Sequence, residues 1–247
     1  MQEKNCELKL NNFKIVSFIP ARSGSKGIRD KNLTKLNNKS IIHWAIETSL
    51  KSKIIQKTFF SSNSIKYIKL ANKYSSIFTI QRSTKLSQDF TTDYDVIKDF
   101  IKFLYSINIF PDIIVHLRPT TPVRNPKLID KAIRYFFKNK KYSSLRSVHK
   151  MSETAYKSVK ISKKGNLVPI LDKYENLDDI NLSRQLYPET FQPNGYVDIY
   201  RVKNILKNRS LLGKNSFPFV TDFQAELDTA EDLKFLKYMI SLNGKKK

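Results

Sequence analysis

Residues Ile19-Pro20-Ala21-Arg22-Ser23-Gly24-Ser25-Lys26-Gly27-Ile28-Arg29-Asp30-Lys31-Asn32 join the end of an apolar run to a basic, glycine-containing loop. The run, Phe13 to Pro20, reads as a buried strand. In the loop, Gly24 and Gly27 with the small Ser23 and Ser25 let backbone N–H groups crowd an anion, and Arg22, Lys26 and Lys31 add positive charge along its length. Such a loop fits a nucleoside triphosphate. No Gly-Lys-Ser/Thr triplet closes it and no Gly-x-Gly-x-x-Gly spacing is present, so neither the Walker loop nor the dinucleotide fingerprint applies.

Outward from this loop, apolar runs alternate with helix-like segments: Ile41 to Leu50, then Thr58 to Ser62 and Ile65 to Tyr74, then Asp112 to Leu117 and Leu128 to Phe137. The alternation predicts an α/β fold, a Rossmann-like, mostly parallel sheet flanked by helices. Ligands of such sheets bind outside the carboxyl ends of the strands. The Arg22–Lys26 loop, Ser61-Ser62-Asn63 and Arg118-Pro119-Thr120 each follow a strand, so one crevice can receive all three. From Ser143 the pattern changes, with β-rich pieces at Leu145 to His149 and Ala155 to Ile161, a turn at Lys163-Lys164-Gly165-Asn166 and a polar loop from Asp172 to Asn181. This reads as a hairpin-rich excursion over about 143–190. A strand near Tyr196 to Tyr200, a short strand Phe217 to Thr221 and a closing helix from about Ala230 to Leu242 complete the chain. With no internal repeat or linker, residues 1–247 form a single domain.

The formal net charge of +23 raises the question of nucleic acid. The charges are spread over most segments, and only Lys245-Lys246-Lys247 makes a terminal run, so a nucleic-acid-binding module is the lower alternative. A basic surface would equally steer a triphosphate and an acidic sugar. The single cysteine, Cys6, has no internal disulfide partner, which points to a reduced cytoplasm. The N-terminus lacks an apolar signal region and no run approaches the ~20 apolar residues of a membrane span, so no membrane association is expected.

The opening segment resembles the first motif of the acylneuraminate cytidylyltransferase family, which makes CMP-linked nonulosonic acids: roughly Pro-Ala-Arg-x-Gly-Ser-Lys-Gly, four residues, Asn. All fixed positions are present between Pro20 and Asn32. Leu117-Arg118-Pro119-Thr120-Thr121-Pro122-Val123-Arg124 is similar to the family's second motif, Ser183-Arg184-Gln185 with Phe191-Gln192-Pro193-Asn194-Gly195 to its sugar-side segment, and Glu226-Leu227-Asp228-Thr229 to its metal motif, all in family order. The resemblance implies a cytidylyltransferase that joins CTP to a sialic, pseudaminic or legionaminic-type 2-keto sugar acid and releases pyrophosphate. It further implies Mg²⁺, and a homodimer in which the excursion completes the partner's sugar site. A Kdo-like sugar or another base such as GTP is the alternative within the fold, and a relative that has lost catalysis is a further one.

Such chemistry needs charge neutralisation more than a covalent nucleophile. Arg22, with a bidentate fork, and Lys26 and Lys31, as point charges, are the expected phosphate holders, with Asp228 completing the catalytic set. Arg82 matches a phosphate-side arginine of the family; a solvated surface arginine is its plain alternative. Ala21, Ser23, Gly24, Ser25 and Asn32 complete the nucleotide set, Asn32 and the backbone near Ala21 as base-edge readers, with the Arg82 to Thr92 segment closing over the base. Glu226 and Asp228, two apart on an expected strand, would face one Mg²⁺ ion, although Glu226 stands where the family has Asp. On the sugar side the resemblance offers Lys157 and Arg184 for the carboxylate, Asn194 and Gly195 to shape the pocket, Phe191 as an apolar wall, and Arg118 with Thr120 from the second motif. Arg118 replaces the usual Gln, Asp198 an aromatic hydroxyl of some relatives, and Asn63 an Asp. His43, His116 and His149 share no metal-ligand spacing, and His116 inside an apolar strand reads as a satisfied core histidine.

Overall fold

The computed structural model describes residues 14–244; Cys6, Phe13 and the terminal lysine run lie outside the described residues. Strand β1 (Ile15–Pro20) leads into the glycine loop, and two short strands, β2 (Lys35–Leu36) and β3 (Lys39–Ser40), precede helix α1 (Ile41–Leu50). Then come β4 (Lys57–Ser62), α2 (Ile65–Ala71), β5 (Ile77–Gln81), α3 (Asp93–Ser106), β6 (Ile113–His116) and α4 (Pro126–Lys138). The chain continues through β7 (Ser144–Lys150), the small hairpin β8 (Val159–Ile161) and β9 (Leu167–Pro169), the long β10 (Phe191–Arg201), α5 (Val202–Asn208), β11 (Ser216–Val220) and α6 (Ala230–Gly244).

The main sheet has seven strands in the order β11-β7-β10-β6-β1-β4-β5. β6, β1, β4 and β5 pair in parallel, as do β11 and β7, while β10 runs antiparallel to both its neighbours. The expected mostly parallel sheet is thus present, with one reversed strand in its middle.

Both faces of β1 are buried, which is why it reads as a continuous apolar run rather than an alternating one. Ile15 and Ile19 join Ile42 and Ile46 of α1 and Ile133 and Phe136 of α4 on one face. Val16 and Phe18 join Phe100 and Leu104 of α3 and Ile205 of α5 on the other. Phe18 stacks on Phe100 at 4.3 Å between centroids, and burying a side chain of this size stabilises the fold by about 1.5–3 kcal/mol. Helix α4 starts where Asn125 caps the N–H of Lys127 and Pro126 takes the first turn. Helix α3 lay outside the sequence expectation. Its signal is a capping box, Thr92 with Asp95, ahead of Val96, Ile97, Phe100, Ile101 and Leu104 at helical spacing.

Three sequence expectations are corrected. Leu145 to His149 belongs to β7, between β11 and β10 in the main sheet, so the segment that leaves the core begins after Lys150. Its β-rich composition marks a strand but not the sheet that the strand joins. Ala155–Lys157 is a 3₁₀ turn, leaving Val159–Ile161 as the strand, paired with β9 around Gly165 at φ +81°. Glu226 and Asp228 stand on irregular chain between β11 and α6, not on a strand. There the backbone N–H of Leu227 donates to Thr120 O at 2.8 Å, a single tether rather than a ladder.

Candidate active site

Pro20, Arg22, Lys26, Lys31, Asn32, Arg82, Asp89, Asp93, Arg118 and Thr120 line one cleft of about 460 Å³. It lies beyond the carboxyl ends of β1 and β6, as the strand-end argument requires. Three parts of the chain build it.

The first is the glycine loop. Gly24 has φ +82°, a conformation natural to glycine, and Ala21 is tied to the sheet by its N–H donating to Ser61 O at 2.8 Å. Ser23 and Asn63 pair reciprocally, backbone N–H to Oδ1 and Nδ2 to Oγ, both at 2.9 Å. Asn63 therefore buttresses the loop from the end of β4. Asn32 is buried; its Nδ2 donates to Arg22 O at 2.9 Å, and its Oδ1 has no protein partner. A buried acceptor without a partner at a cleft wall is suited to a ligand donor.

The second is the segment after β5. Arg82 is buried rather than solvated, with Nε donating to Ser87 Oγ at 3.1 Å, so the surface alternative fails for it. Asp89 on this segment bridges two loop cations, Arg22 Nη1 at 2.7 Å and Lys26 Nζ at 2.6 Å. Hydrogen bonds from Lys26 and then Arg22 hold its carboxyl below the usual range. Sequence reading missed Asp89 because an isolated aspartate in a polar loop carries no signal.

The third is the turn after β6, which brings Arg118 and Thr120; the Glu226–Thr229 stretch adjoins the cleft through Lys31 without lining it. Asp228 accepts from Lys31 Nζ at 2.7 Å, and its N–H, with that of Thr229, donates to Asp232 Oδ2. Gly27 approaches so closely that a Cβ there would lie 2.6 Å from Asp228 O. Glu226 faces a different neighbour: its Oε1 accepts from Thr121 Oγ1 at 3.4 Å, and a Cβ on Gly195 would come within 2.0 Å of it. Gly195, at φ +63°, sits where the register of β10 shifts, so a side chain is excluded twice over. Among the described residues no group of three or more His, Cys, Asp or Glu could hold a metal ion. A one- or two-carboxylate oxygen site matches Mg²⁺, which takes its remaining ligands from water and substrate phosphates.

Asn194 is buried and directed into the protein, its Nδ2 donating to Thr221 Oγ1 and its Oδ1 accepting from Tyr196 N–H. Arg124, quoted only as part of a motif, proves to be a clamp: it is buried, and its guanidinium donates to the carbonyls of Arg118, Gly195 and Tyr196. Arg184 lines a separate cleft with Lys150, Met151 and Glu189, and its Nη2 donates to Met151 O at 3.2 Å. Lys157 lies over the Tyr187 ring at 5.9 Å, and Phe191 is exposed at the start of β10. Within one chain, then, the sugar-side residues 157, 184 and 191 are not brought to the cleft that holds residues 22, 26 and 31.

His116 is half satisfied: Nδ1 pairs with Tyr200 Oη at 3.3 Å, and Nε2 has no protein partner. Burial, helped by the Arg118 charge, pushes its pKa down to about 3 against the pull of Asp93 and Asp198.

Comparison with known proteins bears on the family and the fold. The N-acylneuraminate cytidylyltransferase of Escherichia coli O18:K1:H7 is 28% identical over 94% of this chain, which spans 53% of that protein, about half its length. The CMP-N,N'-diacetyllegionaminic acid synthase of Legionella pneumophila is 27% identical over 93% of the chain and 97% of its own. In fold, a CMP:2-keto-3-deoxy-manno-octonic acid synthetase solved with CTP superposes with a TM-score of 0.68 over 93% of this chain and 99% of its own, at 15% identity. The cytidylyltransferase family profile matches residues 16–246, and the chain belongs to the cytidylyltransferase family.

Proposed function

We propose that the protein activates an acidic 2-keto sugar of the nonulosonic class with CTP, giving the CMP-sugar and pyrophosphate. The observation that carries this is the convergence of Arg22, Lys26, Lys31 and Arg82 on one cleft at the strand ends, with Asp228 ion-paired to the Lys31 of that cleft at 2.7 Å. The sugar's anomeric oxygen attacks the α-phosphorus while the bond to the β-phosphate oxygen breaks. Arg22 and Lys26 exchange Asp89 for phosphate oxygens, and backbone N–H groups of the Gly24–Gly27 turn take the rest. Buried Arg82 supplies a fixed positive charge on the far wall. Asp228 would hold Mg²⁺, which when bound would neutralise charge on the phosphates, and Glu226, now against Thr121, would have to turn to join it. Lys31 holds the Asp228 carboxylate at 2.7 Å.

The relatives named above make sialic and legionaminic acid derivatives, and this supports the sugar class here. We further propose a homodimer, supported by exposed apolar residues on the excursion, with Ile161 77% and Leu186 70% exposed. Location in the cytoplasm is part of the same proposal; among the described residues no helix is long and apolar enough to cross a membrane.

Pyrophosphate release with Mg²⁺ across CTP, GTP, UTP and ATP, each against a panel of nonulosonic and octulosonic acids and a sugar-free control, tests the reading. A signal confined to CTP with one sugar class is expected. Signal with GTP alone would replace the base, and no nucleotide binding by calorimetry would overturn the assignment.

A further inference from the structure

Arg118 and Asp198 are 80 residues apart in sequence and meet in the fold, Arg118 Nη1 donating to Asp198 Oδ2 at 2.8 Å. Arg118 Nη2 donates to Asp93 Oδ2 at 2.6 Å, and Arg124 holds the Arg118 carbonyl at 2.7 Å. Both the side chain and the backbone of Arg118 are therefore fixed. Burial alone would weaken its charge, but Asp198 and then Asp93 outweigh that and hold its pKa above the ordinary arginine value.

Asp198 is buried on β10, opposite His116 of β6 and Arg146 of β7, with Arg146 Nε 3.6 Å from its Oδ1. A carboxylate in this position is tolerated only with a cation held against it; removing the cation leaves a buried charge unpaired. Of its two cations Arg118, at 2.8 Å, is nearer than Arg146, at 3.6 Å, so Arg118 and Asp198 hold each other most closely. Their placement is also informative. Arg118 and Asp93 line the nucleotide cleft and, on their other side, a second cleft of about 450 Å³ walled by Arg146, Tyr200 and Arg209. The Arg118–Asp93 ion pair is the partition between the two.

We propose that Arg118 and Asp198 act as one specificity-determining unit, in which Asp198 is a positioning residue and the guanidinium it fixes selects the acidic sugars that fit beside the nucleotide. The inference rests on the proposed function. A guanidinium has donors only, and with both terminal nitrogens taken by carboxylates it cannot swing to follow a ligand. Its remaining edge admits a sugar that places an accepting oxygen, hydroxyl or acyl carbonyl, at the partition. It disfavours one that places an apolar group there and leaves the donor unpaired.

The test uses the full chain and the sugar acid that the wild type converts fastest in the panel above. Asp198→Asn, Arg118→Gln, Arg118→Lys and the Asp198→Asn/Arg118→Gln double variant are compared, with thermal melting to confirm folding. Each single variant is expected to raise the sugar KM about tenfold while the CTP KM stays within about twofold, and the double variant is expected to be no worse than either single one. Lysine at 118 is not expected to rescue, because a point charge does not bridge two carboxylates. An unchanged sugar KM in a folded Asp198→Asn variant, effects that multiply in the double variant, or a CTP KM that rises in parallel would each overturn the unit. Should Arg118→Gln fail to fold, Asp198→Asn and the double variant carry the same comparison. A wild type that binds CTP yet converts no sugar overturns the proposed function, and the inference with it, whereas a wild type that converts one isolates the failure to the pair.

Discussion

Lys31 and Asp228 are 197 residues apart and meet at 2.7 Å, whereas Arg184, which the excursion offers to the sugar, is held by the carbonyl of Met151, 33 residues away. The first contact is long-range and joins the glycine loop to the far end of the chain; the second is local and stays within its own segment. The same contrast runs through both regions. The nucleotide side is anchored in the sheet, with Ala21, Asn32, Arg82 and Arg124 buried. The 151–190 segment adds only a two-stranded sheet of its own, and Leu182, Leu186, Ile161 and Leu167 stand exposed on it. A region that closes within one chain can be assigned roles from that chain alone. A region whose apolar residues and candidate ligands face outward acquires its role from what covers it.

The sharpest way to break this comparison is Asp228→Ala. If the nucleotide half is complete in one chain, the loss of this carboxylate should reduce kcat by about 100-fold or more while melting temperature and CTP binding without metal change little. Near-normal turnover would remove Asp228 from the metal role. Side-chain exposure of 63% at Asp228 explains why stability should be spared.

The next variant probes the other half. Arg184→Ala should raise the sugar KM by about tenfold or more, with the CTP KM unchanged, because a lost charge-assisted hydrogen bond to a carboxylate acts on that substrate alone. Mixing Arg184→Ala with Asp228→Ala protein then decides where Arg184 acts. Activity regained on mixing means that one chain supplies Arg184 to the other's cleft; no recovery means that the two regions serve separately.

How far this contrast was legible in the sequence follows from the kind of signal each region carries. Strands β1, β4 and β6 and the helices after them announce themselves by apolar periodicity, and Gly24 with its basic neighbours marks the loop. Leu145 to His149 reads as a strand in either setting, since β-rich composition does not report which sheet a strand joins. Asp89, Asp93 and the Arg118–Asp198 contact were invisible for a related reason. A charged residue acquires its partner through topology, and nothing in 80 intervening residues encodes a distance of 2.8 Å. The solvated alternative for Arg82 falls only in the fold, because burial of an arginine depends on Ser87 and the turn that presents it.

A smaller effect is expected at Asp89. Its carboxylate holds Arg22 and Lys26, the two cations that phosphates must claim, and both partners and Asp89 itself are substantially exposed. Exposed pairs of this kind contribute little, so Asp89→Asn should tighten CTP binding by only a few-fold and steepen its salt dependence, since the two cations are no longer offset. Weaker binding in the variant would show instead that Asp89 orders the loop for the nucleotide.

The smallest effect separates the two regions by pH. His116 is uncharged in the folded sheet, its pKa pushed down to about 3, while an unfolded chain takes up a proton near 6.5. Between those values the unfolded state binds more protons, so the stability that neutral His116 contributes is fully present above pH 6.5 and is lost progressively as pH falls toward 3. Melting temperature should therefore decline from pH 6.5 to 4.5, before most carboxylates titrate, and His116→Phe, which keeps an aromatic ring beside Phe18 and Tyr200, should flatten that decline. Identical slopes in the two proteins would mean that the acid-sensitive group lies elsewhere. A decline seen in melting but not in limited proteolysis of the 151–190 segment would show that the excursion opens independently of the sheet that His116 helps to hold.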